Sequence, residues 1–130
     1  ALAAKKINIG VHDVIIALSA SSNTPFTLEV LKYGNQKKAL TVGIGNNIGE
    51  IKKIAKHNII LKTGSEILAG STRLKAGTAQ KITLNLISTM VMTRFGRVKN
   101  GLMVSMVASN LKLKKRQVLI NELLGLHRRI

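Results

Sequence analysis

Val14-Ile15-Ile16-Ala17-Leu18, running into Ser19-Ala20-Ser21-Ser22-Asn23-Thr24-Pro25, is the stretch that decides the fold. An unbroken apolar run rich in β-branched side chains suits a strand buried on both faces of a parallel sheet, and it reads as a central strand. The small polar residues after it form a loop. Thr24 then stands as N-cap and Pro25 at the first helical position, where a missing N–H costs nothing. A helix is expected to about Tyr33, with Phe26, Val30 and Leu31 near helical spacing.

The plan repeats downstream. Ala39 to Ile44 reads as a second strand, Gly45-Asn46-Asn47 as its loop, Ile48 to Lys56 as a short helix and Asn58 to Lys62 as a third strand. Parallel strands joined in this way need right-handed crossovers, so the loops after all three strands open at the carboxyl edge, where open α/β sheets bind ligands. A polar stretch from Ser65 to Thr72 precedes a long helix from about Arg73 to Met92. Ile82, Leu86, Ile87, Met90 and Val91 lie on or near one stripe of it, and Met90 and Met92 read as core filler. Phe95 to Gly101 is a turn-rich break, Leu102 to Ala108 a last strand or extended buried segment, and Leu111 to Leu124 a basic helix closed by Gly125. The expected class is α/β, a three-layer α/β/α sandwich around a parallel sheet, with residues 1–130 as one domain.

Composition narrows the function. There is no cysteine, which removes disulfides, thiolate nucleophiles and zinc–cysteine sites. No run of roughly 20 apolar residues is present to span a bilayer, and Ala1-Leu2-Ala3-Ala4-Lys5-Lys6 is too short for a secretory segment, so a cytoplasmic protein without membrane contact is expected. Lys and Arg number 21 against five acids, a net charge of +16 that would attract polyanions. The aromatics are only Phe26, Tyr33 and Phe95 and the lysines are scattered, so nucleic acid is not the expected partner. Only Lys112 to Arg116 and His127-Arg128-Arg129 are dense basic runs, a pattern typical of solvated surface. His12, His57 and His127 show no ligand spacing; no metal site and no cofactor are expected.

Two segments could carry chemistry. The hydroxyls of Ser19, Ser21, Ser22 and Thr24 lie between a buried strand and a helix N-terminus, an arrangement that favours an anion such as phosphate, although such loops also serve simply to cap helices. The second segment is Glu66-Ile67-Leu68-Ala69-Gly70-Ser71-Thr72-Arg73-Leu74-Lys75-Ala76-Gly77-Thr78-Ala79-Gln80-Lys81. It resembles the signature of the N-acetylmuramic acid 6-phosphate etherases and the related glucokinase regulatory proteins. The likeness extends through Leu84 to Thr89, Leu102-Met103-Val104 and Ala108-Ser109-Asn110, and upstream through Ser21, Thr24-Pro25 and Thr41 to Ile44, covering roughly Asp13 to Gln117.

The resemblance implies a sugar isomerase (SIS) domain that binds a sugar phosphate, N-acetylmuramic acid 6-phosphate or a related amino sugar phosphate. It implies phosphosugar contacts from Ser19, Ser21, Ser22, Thr24, Glu66, Ser71, Thr72 and Lys75. Ser21 and Thr24 match the family pattern, whereas Ser22 stands where glycine is usual and Asn23 where arginine is usual. Glu66 is the one candidate for proton transfer or a sugar-hydroxyl contact, with a solvent-facing glutamate as the alternative. Ser71 and Thr72 could instead cap the long helix, and Gly70 and Gly77 read as positions of backbone freedom or close packing.

The activity the resemblance implies is that of a carbon–oxygen lyase that eliminates D-lactate. The carboxylates that serve the family lie upstream of the stretch matching Asp13, and Ser105 stands where aspartate is usual. The chain is therefore expected to be a partial domain, incomplete on its N-terminal side and inactive alone, covered by a second copy or a complementing chain. A non-catalytic module that responds to sugar phosphate and a basic polyanion binder stay open as alternatives.

Overall fold

The computed structural model describes residues 6–125. All but Lys6 of the opening hexapeptide, and the His127-Arg128-Arg129 run, lie outside the described residues. Three strands, β1 (Val14–Ser19), β2 (Leu40–Gly45) and β3 (His57–Ile60), form one parallel sheet in the order β1-β2-β3. Val14 pairs with Leu40 through to Ser19 with Gly45, and Val42 pairs with His57 through to Gly45 with Ile60. The α/β class and the parallel sheet flanked by helices are as expected. The place of β1 is corrected. Among the described residues β1 is an edge strand and β2 the central one; separately, the β-branched run at Val14–Leu18 is not buried on both faces, since Val14 and Ile16 are exposed.

Helices α1 (Pro25–Gln36) and α2 (Ile51–Ile54) pack over the sheet face that carries Ile15 and Ala17. Leu31, Ile51, Ala17 and Ala55 are the centre of that core, with Leu28 and Ile54 at its margin. Phe26 is exposed; the inward face of α1 is Thr27, Leu31 and Gly34 instead. Gly34 is there because α1 lies so close to the sheet that a Cβ would come within 2.3 Å of Ile15 Cδ1 and 3.0 Å of Thr41 Cγ2. The expected helix over Ile48–Lys56 shrinks to the single turn of α2. Beneath it Thr41, fully buried, donates to Asn35 Oδ1 at 2.8 Å and accepts the Lys56 N–H at 3.0 Å, while Asn35 Nδ2 donates to the Ile54 carbonyl at 2.7 Å. Every polar group of that staple is paired, which is the condition for burying it.

Helix α3 (Lys75–Arg94) follows, and the chain divides into two compact units, one up to Thr83 and one from Leu84 onward. In the second unit, β4 (Val98–Lys99) and β5 (Leu102–Met103) make an antiparallel hairpin across Asn100 and Gly101, both at positive φ (50° and 74°). That is the conformation a two-residue hairpin turn demands. The strand expected over Leu102–Ala108 is confined to β5. Helix α4 (Leu111–Leu123) starts at Asn110, whose Oδ1 accepts the Leu113 N–H at 3.0 Å, and is followed by Gly125 at φ 64°, as expected for a C-terminal glycine.

The apolar stripe expected on α3 is not buried. Ile82, Leu86, Met90, Val91 and Met92 are all exposed, so Met90 and Met92 are not core filler; Ala76 is the one buried residue of the helix. Periodicity put these side chains near one face, but no described element lies over it. Among the described residues no helix is long and apolar enough to cross a membrane.

Candidate functional site

The loops after β1, β2 and β3 meet at the carboxyl edge of the sheet. In the first loop the Ser19 side chain is buried and its Oγ lies 2.7 Å from Thr24 Oγ1 and 3.3 Å from Ser21 Oγ. Ser21 and Thr24 themselves are exposed. Thr24 is the N-cap residue by position, yet its hydroxyl makes no capping bond, because it is turned to Ser19. The first turn of α1 is thus left without a side-chain acceptor, with two hydroxyls beside it.

Ser22 and Asn23 have other work. Ser22 lies at φ 60° and is fully buried, and its Oγ donates to the Asn47 carbonyl at 2.5 Å. Its hydroxyl therefore ties the first loop to the second and faces away from solvent. A left-handed φ is what glycine tolerates best, so serine holds this conformation at some cost. Asn23 Oδ1 accepts the Glu50 N–H at 2.9 Å, and Asn23 Nδ2 donates to the Ser21 carbonyl at 3.1 Å. Asn47 Nδ2 completes the link by donating to the Ala20 carbonyl at 2.9 Å.

Asn46 joins the second and third loops, a role that sequence reading gave only to a loop. It is nearly buried, and Nδ2 donates to the Leu61 carbonyl and to Thr63 Oγ1, both at 3.3 Å. Its Oδ1 accepts from Gln80 Nε2 on α3 at 2.8 Å, and its backbone N–H donates to the Ala20 carbonyl at 3.3 Å. A cavity of about 330 Å³ opens here, lined by Asn46, Asn47, Thr63, Glu66 and Thr72 among others. Ser19, Ser21 and Thr24 are not in its wall, and Lys75 lines a separate groove with Arg73 and Thr78.

Glu66 is held at the start of α3. Its Oε1 accepts the Ala76 N–H at 2.8 Å and its Oε2 the Lys75 N–H at 2.9 Å. The Ala76 and Lys75 backbone N–H groups keep the carboxyl below its ordinary value of 4.5, so it is an ionised helix cap. Glu66 takes the capping role considered for Ser71 and Thr72, whose contribution is backbone: the Ser71 carbonyl accepts the Leu74 N–H at 3.1 Å and the Thr72 carbonyl accepts the Gly77 N–H at 2.7 Å. A Cβ on Gly77 would sit 3.2 Å from that Thr72 oxygen, and Gly70 has φ 76°, so close approach and backbone freedom explain the two glycines.

Among the described residues no three His, Cys, Asp or Glu side chains come together as a metal site would need. The other acids of the first unit are engaged: Asp13 Oδ2 accepts the Gly10 N–H at 2.8 Å, Glu29 pairs with Lys32 at 2.8 Å and Glu50 with Lys53 at 2.6 Å. The carboxyl edge can therefore offer hydroxyl, amide and helix-end donors, a set suited to an anion.

No family model matches the chain. Similarity to individual proteins is clear. A protein of Halalkalibacterium halodurans named N-acetylmuramic acid 6-phosphate etherase is 49% identical over 113 residues, 86% of this chain and 38% of that protein. Proteins of the same name from Mycoplasma mycoides subsp. mycoides and Rubrobacter xylanophilus are 46% identical over 112 residues (85% and 37% of the two chains) and 44% identical over 119 (91% and 40%). The chain thus spans about two fifths or less of the length of these relatives. Over that length, with nearly half its residues shared, the chain belongs to the N-acetylmuramic acid 6-phosphate etherase family.

Proposed function

We infer that the carboxyl-edge loops form part of a phosphosugar-binding SIS domain, with N-acetylmuramic acid 6-phosphate or a related amino sugar phosphate as ligand. The observation that carries this reading is the first loop: buried Ser19 orients the exposed hydroxyls of Ser21 and Thr24 beside the uncapped start of α1. Phosphate oxygens accept from such hydroxyls and from the free N–H groups of a first helical turn. Ser22 supports the loop from beneath, and the cavity lined by Asn46, Glu66 and Thr72 provides polar surface for the sugar. Lys75 adds positive charge at the same end of α3.

The relatives' name gives the substrate and the kind of bond, an ether of N-acetylmuramic acid 6-phosphate; on this reading the reaction is that of a carbon–oxygen lyase in the cytoplasm. That chemistry needs an acid and a base. Glu66, the carboxylate beside the cavity, already spends both oxygens on α3, so this chain alone recognises the sugar phosphate without cleaving it. On this reading a complementing chain supplies the acid and base, and a second copy serves to cover the open edge of β1. The same occupied carboxylate supports a second reading, a regulatory module that senses sugar phosphate.

Thermal unfolding with N-acetylmuramic acid 6-phosphate tests the reading. Ligand at about 100 times its Kd stabilises a protein by about 2.7 kcal/mol, a shift of several degrees. A rise in Tm that disappears in Ser21→Ala is the expected result; no rise at millimolar ligand overturns the site, and D-lactate release by the chain alone overturns its inactivity.

A further inference from the structure

The second unit holds a cleft of about 490 Å³ formed wholly by residues between Ser88 and Ile120. Arg97, beside β4, and Arg116, on α4, both line it, and the hydroxyls of Ser88, Thr89 and Ser105 line it with them. Met92, Val98, Leu102, Met103 and Ile120, the last the buried residue of α4, give its lining an apolar part. Both arginines are exposed, so their donors are open to a ligand from solution. Here neither guanidinium is ion-paired among the described residues. From Leu84 onward the described chain has seven Lys and Arg side chains and one acid, Glu122, which is not in the cleft wall. The walls therefore offer two guanidinium forks and three hydroxyls with no internal acceptor of negative charge.

We propose that this cleft is an anion site, separate from the carboxyl-edge loops, which takes the phosphate or carboxylate of a small molecule with an apolar body. The guanidiniums hold the oxyanion, the hydroxyls complete its hydrogen bonds, and the apolar part of the lining accepts the rest of the ligand. The volume suits a single small molecule.

Phenyl phosphate and benzoate, titrated into the 130-residue chain against sodium chloride at matched ionic strength and followed by amide chemical shifts, test this. The expected result is saturable movement of amides around Arg97, Ser105 and Arg116, and the tighter of the two probes identifies the preferred oxyanion. Arg97→Gln and Arg116→Gln keep the side-chain stems and should each weaken binding about tenfold or more. Ser105→Asp places a carboxylate inside the cleft and should abolish binding. Ser21→Ala should leave it unchanged, which separates this site from the sugar phosphate site. Binding to neither probe at about 10 mM, or binding that both arginine variants retain in full, overturns the proposal.

Discussion

Helices α1 and α3 both begin near the carboxyl edge of the sheet, and both begin among serines and threonines. At α1 the nearest hydroxyls bind one another and leave the helix end open. At α3 a glutamate nine residues upstream of the helix start fills the equivalent position with its own two oxygens. One start is open to a foreign anion and the other holds an internal one. Hydroxyl-rich sequence ahead of a helix is thus no guide to a ligand until the occupant of the first turn is known.

The comparison is most severely broken at Asn46, which holds both ends to the edge through Ala20, Leu61, Thr63 and Gln80. Asn46→Ala strands several of these partners and should cost about 2 kcal/mol, read as a lower urea midpoint at unchanged m-value. Next in size is the open end itself. Ser21→Ala and Thr24→Ala should each weaken the sugar phosphate by about tenfold in titration calorimetry while unfolding curves barely move, because both side chains are exposed.

The filled end answers to pH. Glu66 is held below its ordinary value in the folded chain, so its stabilisation is complete above about pH 4.5 and is lost as pH falls through the lower folded value. Glu66→Gln should lower Tm modestly at pH 7, and the gap to the parent chain should close on acidification; a gap that widened would show that the cap is not what holds the carboxyl down. The smallest effect is expected at Ser22. Ser22→Gly loses a buried hydroxyl bond worth about 1 kcal/mol but relieves a left-handed residue by about as much, so its unfolding midpoint should stay near the parent's. Ser22→Ala keeps the strain, loses the bond and should be less stable by about 1 kcal/mol.

Much of the sheet was legible in sequence. Each strand of the parallel sheet falls within two residues of its expected bounds, because apolar runs between polar loops carry the signal directly. The position of β1 was not: a β-branched run shows readiness for burial, and whether a neighbour lies beyond it is a tertiary fact. The α3 stripe fails for the same reason. Asn100-Gly101 is the strongest turn dipeptide available for a hairpin, although inside Phe95–Gly101 it reads as part of a longer break. At the site, Ser21 and Thr24 could be chosen from the loop pattern. The inward turn of Ser22 and the use of Glu66 could not, since each depends on an acceptor or donor distant in the chain: Asn47 lies 25 positions from Ser22, and Ala76 ten from Glu66.

Gly45 lies across from Ser22, and a Cβ built on it would fall 1.9 Å from Ser22 Oγ and 3.2 Å from the Ser19 carbonyl oxygen. The two positions therefore constrain the order in which the sequence can drift. While serine occupies position 22, even alanine at position 45 is closed; with glycine at position 22 the larger obstacle would be gone and only the Ser19 contact must give. Ser22 is in this sense a lock, and the neighbour it locks is the glycine that ends the central strand.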